Sequence, residues 1–132
     1  MNIRTHGEAG TTMHTQTGVT GGVLLSANTL IGTEVVNRTD DKLGSIKDLM
    51  MNTASGDIQY AVISAGGFLG IGDKLYAVPW EALSMDTQEK QFILDVDVER
   101  FKEAPGFDKD NWPDMADETW ARSVRSQYGL GE

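Results

Sequence analysis

The stretch Ala65-Gly66-Gly67-Phe68-Leu69-Gly70-Ile71-Gly72-Asp73-Lys74-Leu75-Tyr76-Ala77-Val78-Pro79 decides how this chain is read. Glycines followed by a lysine suggest a loop that cradles phosphates. The spacing fails, because such a loop needs Lys and then Ser or Thr directly after its second glycine, whereas Gly72 is followed by Asp73, whose carboxylate repels a phosphate. A dinucleotide fingerprint must open a helix, and Leu75 to Val78 reads instead as a strand, closed by a proline that cannot donate to a ladder. The glycines therefore belong to a long hairpin connection, where they supply positive φ and close backbone approach. Within it, Phe68, Leu69 and Ile71 either fold back as a cap or, with Gly67 and Gly70, form an exposed contact surface.

Outward from this connection the chain reads as short strands. Asp57 to Ser64 alternates, with Ile58, Tyr60 and Val62 on one face and Asp57 and Gln59 on the other, after a Thr53-Ala54-Ser55-Gly56 turn. Leu43 to Met51 is a longer strand whose apolar parity breaks between Ile46 and Leu49, which predicts a bulge near Lys47 and Asp48. Thr33-Glu34-Val35-Val36 is a short β-branched strand, joined to it by the polar turn Asn37 to Lys42. Ser26 to Ile31 forms a capped turn that brings Leu30 and Ile31 to the core before Gly32 releases the chain. Downstream, Met85 lies on a brief fifth strand, and Phe92, Leu94 and Val96 alternate on a sixth after the Asp86 to Lys90 turn.

Six short strands joined mostly by turns, with no long helix between them, predict a mainly β fold. The expected form is an antiparallel meander curled into a small, partly open barrel that hides its apolar face and leaves few edges exposed. This domain is expected over residues 26–100. Residues 1–25 are rich in Thr, Gly and His with few large apolar groups, so burial there does not offset the cost of ordering the backbone, and they read as a disordered tail. Residues 101–132 read as an extension. The helical run Asp97 to Ala104 stops at Pro105-Gly106, and a final helix capped by Asp114 lays Trp120, Val124 and Tyr128 on the barrel. Trp112 and Trp120 are both expected to be covered.

Composition narrows the function classes. With 39% hydrophobic and 23% charged residues over 132 positions, the chain supports one globular domain plus tails. It has no cysteine, which removes disulfides, thiolate metal sites and a cysteine nucleophile, and the cytoplasm is its default compartment. No run approaches the length of a membrane span, since Gly21 to Ile31 is interrupted by Ser26, Asn28 and Thr29, and no secretory leader is expected. A net charge of −9 disfavours nucleic acid and anionic lipid, favours solubility and suits a basic partner.

Chemistry finds little purchase. The only histidines, His6 and His14, sit in the tail with no acidic or cysteine ligands nearby, so neither a metal site nor a hydrolytic triad is expected. Asp40 and Asp41 are adjacent turn residues that point apart. Asp108-Lys109-Asp110-Asn111-Trp112-Pro113-Asp114 begins like a calcium loop but places Trp112 at the fifth position, Pro113 where glycine is obligatory, and Thr119 where a bidentate Glu belongs. Its aspartates are expected to cap and turn. Asn37-Arg38-Thr39 matches a glycosylation acceptor, a triplet common by chance. No catalytic, cofactor or metal residue is assigned, and no cofactor is expected.

At the glycine connection the chain resembles the PRC-barrel domain family, named for the cytoplasmic barrel of the photosynthetic reaction-centre H subunit and found beside a second domain in ribosome-maturation factors. The resemblance rests on Leu30-Ile31-Gly32 with Val35-Val36-Asn37, Leu43-Gly44-Ser45-Ile46-Lys47-Asp48, Tyr60-Ala61-Val62-Ile63-Ser64, Gly66 to Lys74, and Ala77-Val78-Pro79-Trp80, in the family's order over roughly residues 28–96. Ala104 to Asp117 is similar to the downstream segment of stand-alone bacterial members. The resemblance implies a barrel, docking onto a larger assembly, and no family-wide catalytic residues. The chain is expected to lack the membrane helix of the first relative and the N-terminal domain of the second, so their partners do not carry over.

The function expected is therefore that of a non-catalytic protein-interaction or assembly module, acting on an unidentified protein or on a second copy of itself through Gly67, Phe68, Leu69, Gly70 and Ile71. The competing readings are a small-molecule or divalent-metal binder or enzyme using acidic residues near Asp108 and Asp110, and a ribosome- or RNA-associated factor, which the acidic balance opposes.

Overall fold

The computed structural model describes residues 16–17, 23–65 and 74–130. Among the described residues, eight strands and three helices follow in order: β1 (Gln16–Thr17), β2 (Val23–Leu24), α1 (Ala27–Leu30), β3 (Glu34–Val36), β4 (Lys42–Met51), β5 (Ile58–Ala65) and β6 (Lys74–Pro79), then a 3-10 turn (Trp80–Ala82), β7 (Leu83–Asp86), β8 (Gln91–Leu94), α2 (Val98–Glu103) and α3 (Glu118–Gln127). The sheet formed by the last six strands has the order β6-β5-β4-β3-β8-β7, while β1 and β2 pair with each other. Within the expected tail, then, Gln16–Thr17 lies antiparallel to Val23–Leu24. Residues 1–15 and 18–22, including His6 and His14, lie outside the described residues.

The antiparallel meander holds from β3 to β6 and again over β7 and β8, but β8 runs parallel to β3, with Val35 opposite Phe92. The cause is the 3-10 turn. It does not reverse the chain as a hairpin would, so β7 keeps the sense of β6 and β8 returns in the sense of β3. The same turn explains the curvature. In a flat sheet the two edges, β6 and β7, would lie about 24 Å apart, five gaps of interstrand spacing. The chain from Pro79 to Leu83 spans at most about 14 Å. The sheet must therefore curl into an open barrel.

Bulges supply the bending. One residue extra on β4 at Leu43 and another at Lys47 break its register, the second where the parity of Ile46 and Leu49 predicts it. A third sits on β5 at Gln59, between the pairs Met50 with Tyr60 and Met51 with Ile58. It corrects the expectation that Ile58, Tyr60 and Val62 share a face, because the extra residue shifts the alternation. Ile58 packs against the barrel core, and Tyr60 belongs to a second cluster.

The barrel core gathers Val35, Leu43, Ile46, Ile63, Val78, Phe92 and Leu94, closed by Leu30 from α1 and Phe101 from α2. Ser26 caps α1 by accepting from the Thr29 amide at 3.1 Å, and Asp97 caps α2 by accepting from the Arg100 amide at 2.8 Å. Ile31, expected in the core beside Leu30, is 41% exposed because the helix ends before it and Gly32 turns the chain at φ +94°.

β5 and β6 are buried on both faces. Their outer face carries Tyr60 and Ala77, and α3 covers it with Val124, Trp120 and Tyr128, the stripe expected from the four-residue spacing. The ring of Trp120 meets that of Tyr60 edge-on at 5.3 Å. The cap of α3 is Asp117, accepting from the Trp120 amide at 2.9 Å, and not Asp114, which accepts from the Ala116 amide in the preceding turn at 3.0 Å. Gly129 ends the helix at φ +75°, with the Leu130 amide donating back to Arg125 O at 2.8 Å. Phe107 forms a two-bond bridge with Leu75 on the edge of β6. Trp112, expected to be covered, meets the Phe107 ring at a tilt, with centres 5.2 Å apart, and is 39% exposed.

Candidate functional site

Three depressions meet where β5 begins. The largest, about 620 Å³, is walled by Gly56 to Tyr60, Pro79 to Glu81, and Ala121 with Arg125 of α3. A second, about 440 Å³, adjoins it through Ile58 and Trp80 and is lined by apolar groups from β2, α1, β7 and β8, among them Leu24, Met85 and Phe92. A third, about 330 Å³, adjoins the first through Gln59, Tyr60 and Ala121 and is lined by Met50, Met51 and Met115. Together they make one recessed band around the end of the barrel.

Local structure puts these groups there. The Gln59 bulge turns Ile58 and Tyr60 into different clusters, so the start of β5 serves both sides of the band. The 3-10 turn after Pro79 holds Trp80 against Phe92, ring centres 5.4 Å apart. Along the rim, Val23, Leu24 and Met51 are 45%, 55% and 53% exposed, large apolar side chains left in water. Methionines supply flexible, polarisable contact area.

The polar groups concentrate in the first depression, where Asp57, Gln59, Tyr60, Glu81 and Arg125 stand. Arg125 Nη1 donates to Glu81 Oε1 at 2.5 Å across the largest depression. Burial raises the Tyr60 hydroxyl above its ordinary pKa, and the positive charge of Arg125 only partly offsets this, so the phenol stays protonated at neutral pH and does not act as a base. The lining offers a guanidinium, two carboxylates, an amide and a phenol among apolar side chains.

Among the described residues, the carboxylates singled out from sequence do not line this band. Gly67, Phe68, Leu69, Gly70 and Ile71 lie outside the described residues. Asp108 belongs to a turn closed by the Asn111 amide on its carbonyl at 3.0 Å, and among the described residues no group of three or more His, Asp or Glu could hold a metal ion. Asp41 accepts from Thr39 Oγ1 at 2.8 Å and Asn37 Nδ2 at 3.3 Å within the β3–β4 turn. Sequence reasoning passed over Leu24, Ile58, Trp80, Met85 and the methionine cluster, which come from distant segments and meet only through the strand order.

The fold is a small open β-barrel with adjoining depressions where β5 begins. The PRC-barrel domain model matches residues 23–101, and the chain belongs to the PRC-barrel family. No curated protein matches the chain. Among solved structures it is similar to a protein described as a 16S ribosomal RNA processing protein, RimM, of Pseudomonas aeruginosa. The match has a TM-score of 0.38 and 20% identity, and covers 56% of this chain and 44% of that one. This chain thus aligns with less than half of that protein's length. Among the described residues no helix is long and apolar enough to cross a membrane.

Proposed function

We propose that this chain is a non-catalytic interaction or assembly module of PRC-barrel type whose partner is a protein, another chain or a second copy of itself. The carrying observation is the recessed apolar band, because exposed apolar groups of this size on a folded barrel need a partner to cover them. The family resemblance adds docking as the expected role. The sequence offers no thiol nucleophile. The loop Gly67 to Ile71 is a second contact element on the strength of its apolar sequence. The charge of −9 favours a protein over a nucleic acid, and a cysteine-free chain accords with the cytoplasm.

The test is affinity capture of the full chain from its native cell, combined with light scattering on the purified protein. A stoichiometric protein partner or a stable oligomer is expected, and Phe68→Ser with Leu69→Ser should lower either while circular dichroism stays native. A chain that remains a monomer and captures no protein sinks the reading. Unchanged capture by the folded double variant removes only the loop from it.

A further inference from the structure

We propose that the apolar groove between β2 and β7 receives a basic, amphipathic segment of a partner protein. This rests on the reading of the chain as an interaction module and names the chemistry of its partner. The floor and walls are Ile58, Trp80, Met85 and Phe92, and the exposed Val23 and Leu24 form one lip. Carboxylates stand beside this lining in the sequence: Asp57 precedes Ile58, Glu81 follows Trp80 and Asp86 follows Met85. No Lys or Arg is adjacent in sequence to any groove-lining residue. Asp57 and Glu81 also wall the adjoining depression, where Arg125 pairs with Glu81.

An apolar trough with no cation in its lining, beside a depression walled by Asp57 and Glu81 and on a chain of charge −9, complements a segment with one apolar face and flanking lysines or arginines. Its apolar face would cover Leu24 and Met85, and its cations would meet the carboxylates, which also speed encounter. An acidic segment would bring like charges together. Nucleic acid and anionic lipid are disfavoured for the same reason.

The test titrates the full-length chain with a fluorescent synthetic leucine/lysine amphipathic helix at low ionic strength, with a leucine/glutamate helix of the same pattern as control. Saturable binding of the lysine peptide is expected, weakened about tenfold or more by Leu24→Lys, which removes one apolar contact and sets a like charge against the peptide. Asp57→Asn with Asp86→Asn should weaken it severalfold. Asparagine retains the Oδ1 that Asp86 uses to accept from the Gln88 and Glu89 amides at 3.1 and 3.2 Å. Asp108→Asn with Asp110→Asn, an equal loss of charge in the segment after the Phe107–Leu75 bridge, should change affinity by less than about twofold.

The proposal is overturned if the lysine peptide does not bind, if the glutamate peptide binds as tightly, or if the two double variants weaken binding alike. Should Leu24→Lys lose its native circular dichroism, the two double variants decide alone. Partner capture that persists unchanged in folded Leu24→Lys also overturns this proposal while leaving the module reading intact. Failure of all capture strikes the module reading itself.

Discussion

Gly44 shows how much of this barrel depends on single positions. A Cβ there would collide with the Ser64 carbonyl oxygen and lie 2.9 Å from Ile63 Cγ2, so β4 and β5 close only over a hydrogen atom. Gly44→Ala is expected to destabilise the fold by about 1–3 kcal/mol, read from the urea midpoint at unchanged slope. Asn37 carries a second lesson. Its triplet resembles a glycosylation acceptor, yet the side chain is 5% exposed and its Oδ1 accepts from the Thr39 amide, the Thr39 hydroxyl and the Asp41 amide at 3.1, 2.9 and 2.9 Å. A short polar motif reads alike whether it serves a turn or a modification, because only the folded turn spends its hydrogen bonds. The Lys47 bulge was legible, since it interrupts a visible apolar parity. The Gln59 bulge was not, since Ile58, Tyr60 and Val62 alternate without fault on paper.

At the scale of elements, α3 is where sequence and structure agree most usefully. Its stripe of Trp120, Val124 and Tyr128 covers the outer face of β5 and β6. Tyr60 on that face and Ala121 and Arg125 of α3 also wall the largest depression. Trp120→Ala should cost about 2–3 kcal/mol in urea denaturation, below the full-burial range because the indole is only half-buried. A smaller loss of about 0.5 kcal/mol or less would mean the helix rests loosely on the sheet. The strands themselves were legible from alternation and turn residues. The parallel pairing of β3 with β8 was not, because it depends on whether the residues after Pro79 reverse the chain, and Trp80-Glu81-Ala82 has no glycine or asparagine to announce either outcome. The Asp117 cap was mistaken for Asp114 because both aspartates precede the helix and both accept backbone amides.

For the whole molecule, three tyrosines, Tyr60 and Tyr76 buried and Tyr128 partly buried, make stability sensitive to alkali. Burial raises the hydroxyls of Tyr60, Tyr76 and Tyr128 above their ordinary 10.0, with Tyr76 adding to the shift at Tyr128. The folded chain then keeps protons that the unfolded chain releases. Their contribution is fully present below about pH 10 and is lost as the pH rises beyond it. The melting temperature should fall above that pH, and Tyr128→Phe should flatten the fall; an equally steep decline in the variant would assign it to other groups. The fold class was legible from the whole chain, whereas the apolar band was not, since β2, β5, β7 and the 3-10 turn contribute one to three residues each and none forms a motif. The central claim is that this band meets a protein, and its most direct test is a photoreactive side chain placed at Leu24 in the native cell, with the same group at the exposed Lys109 as control. One discrete protein adduct from position 24, absent from position 109, is the expected result, and no protein adduct at position 24, or the same adducts from both positions, would contradict it.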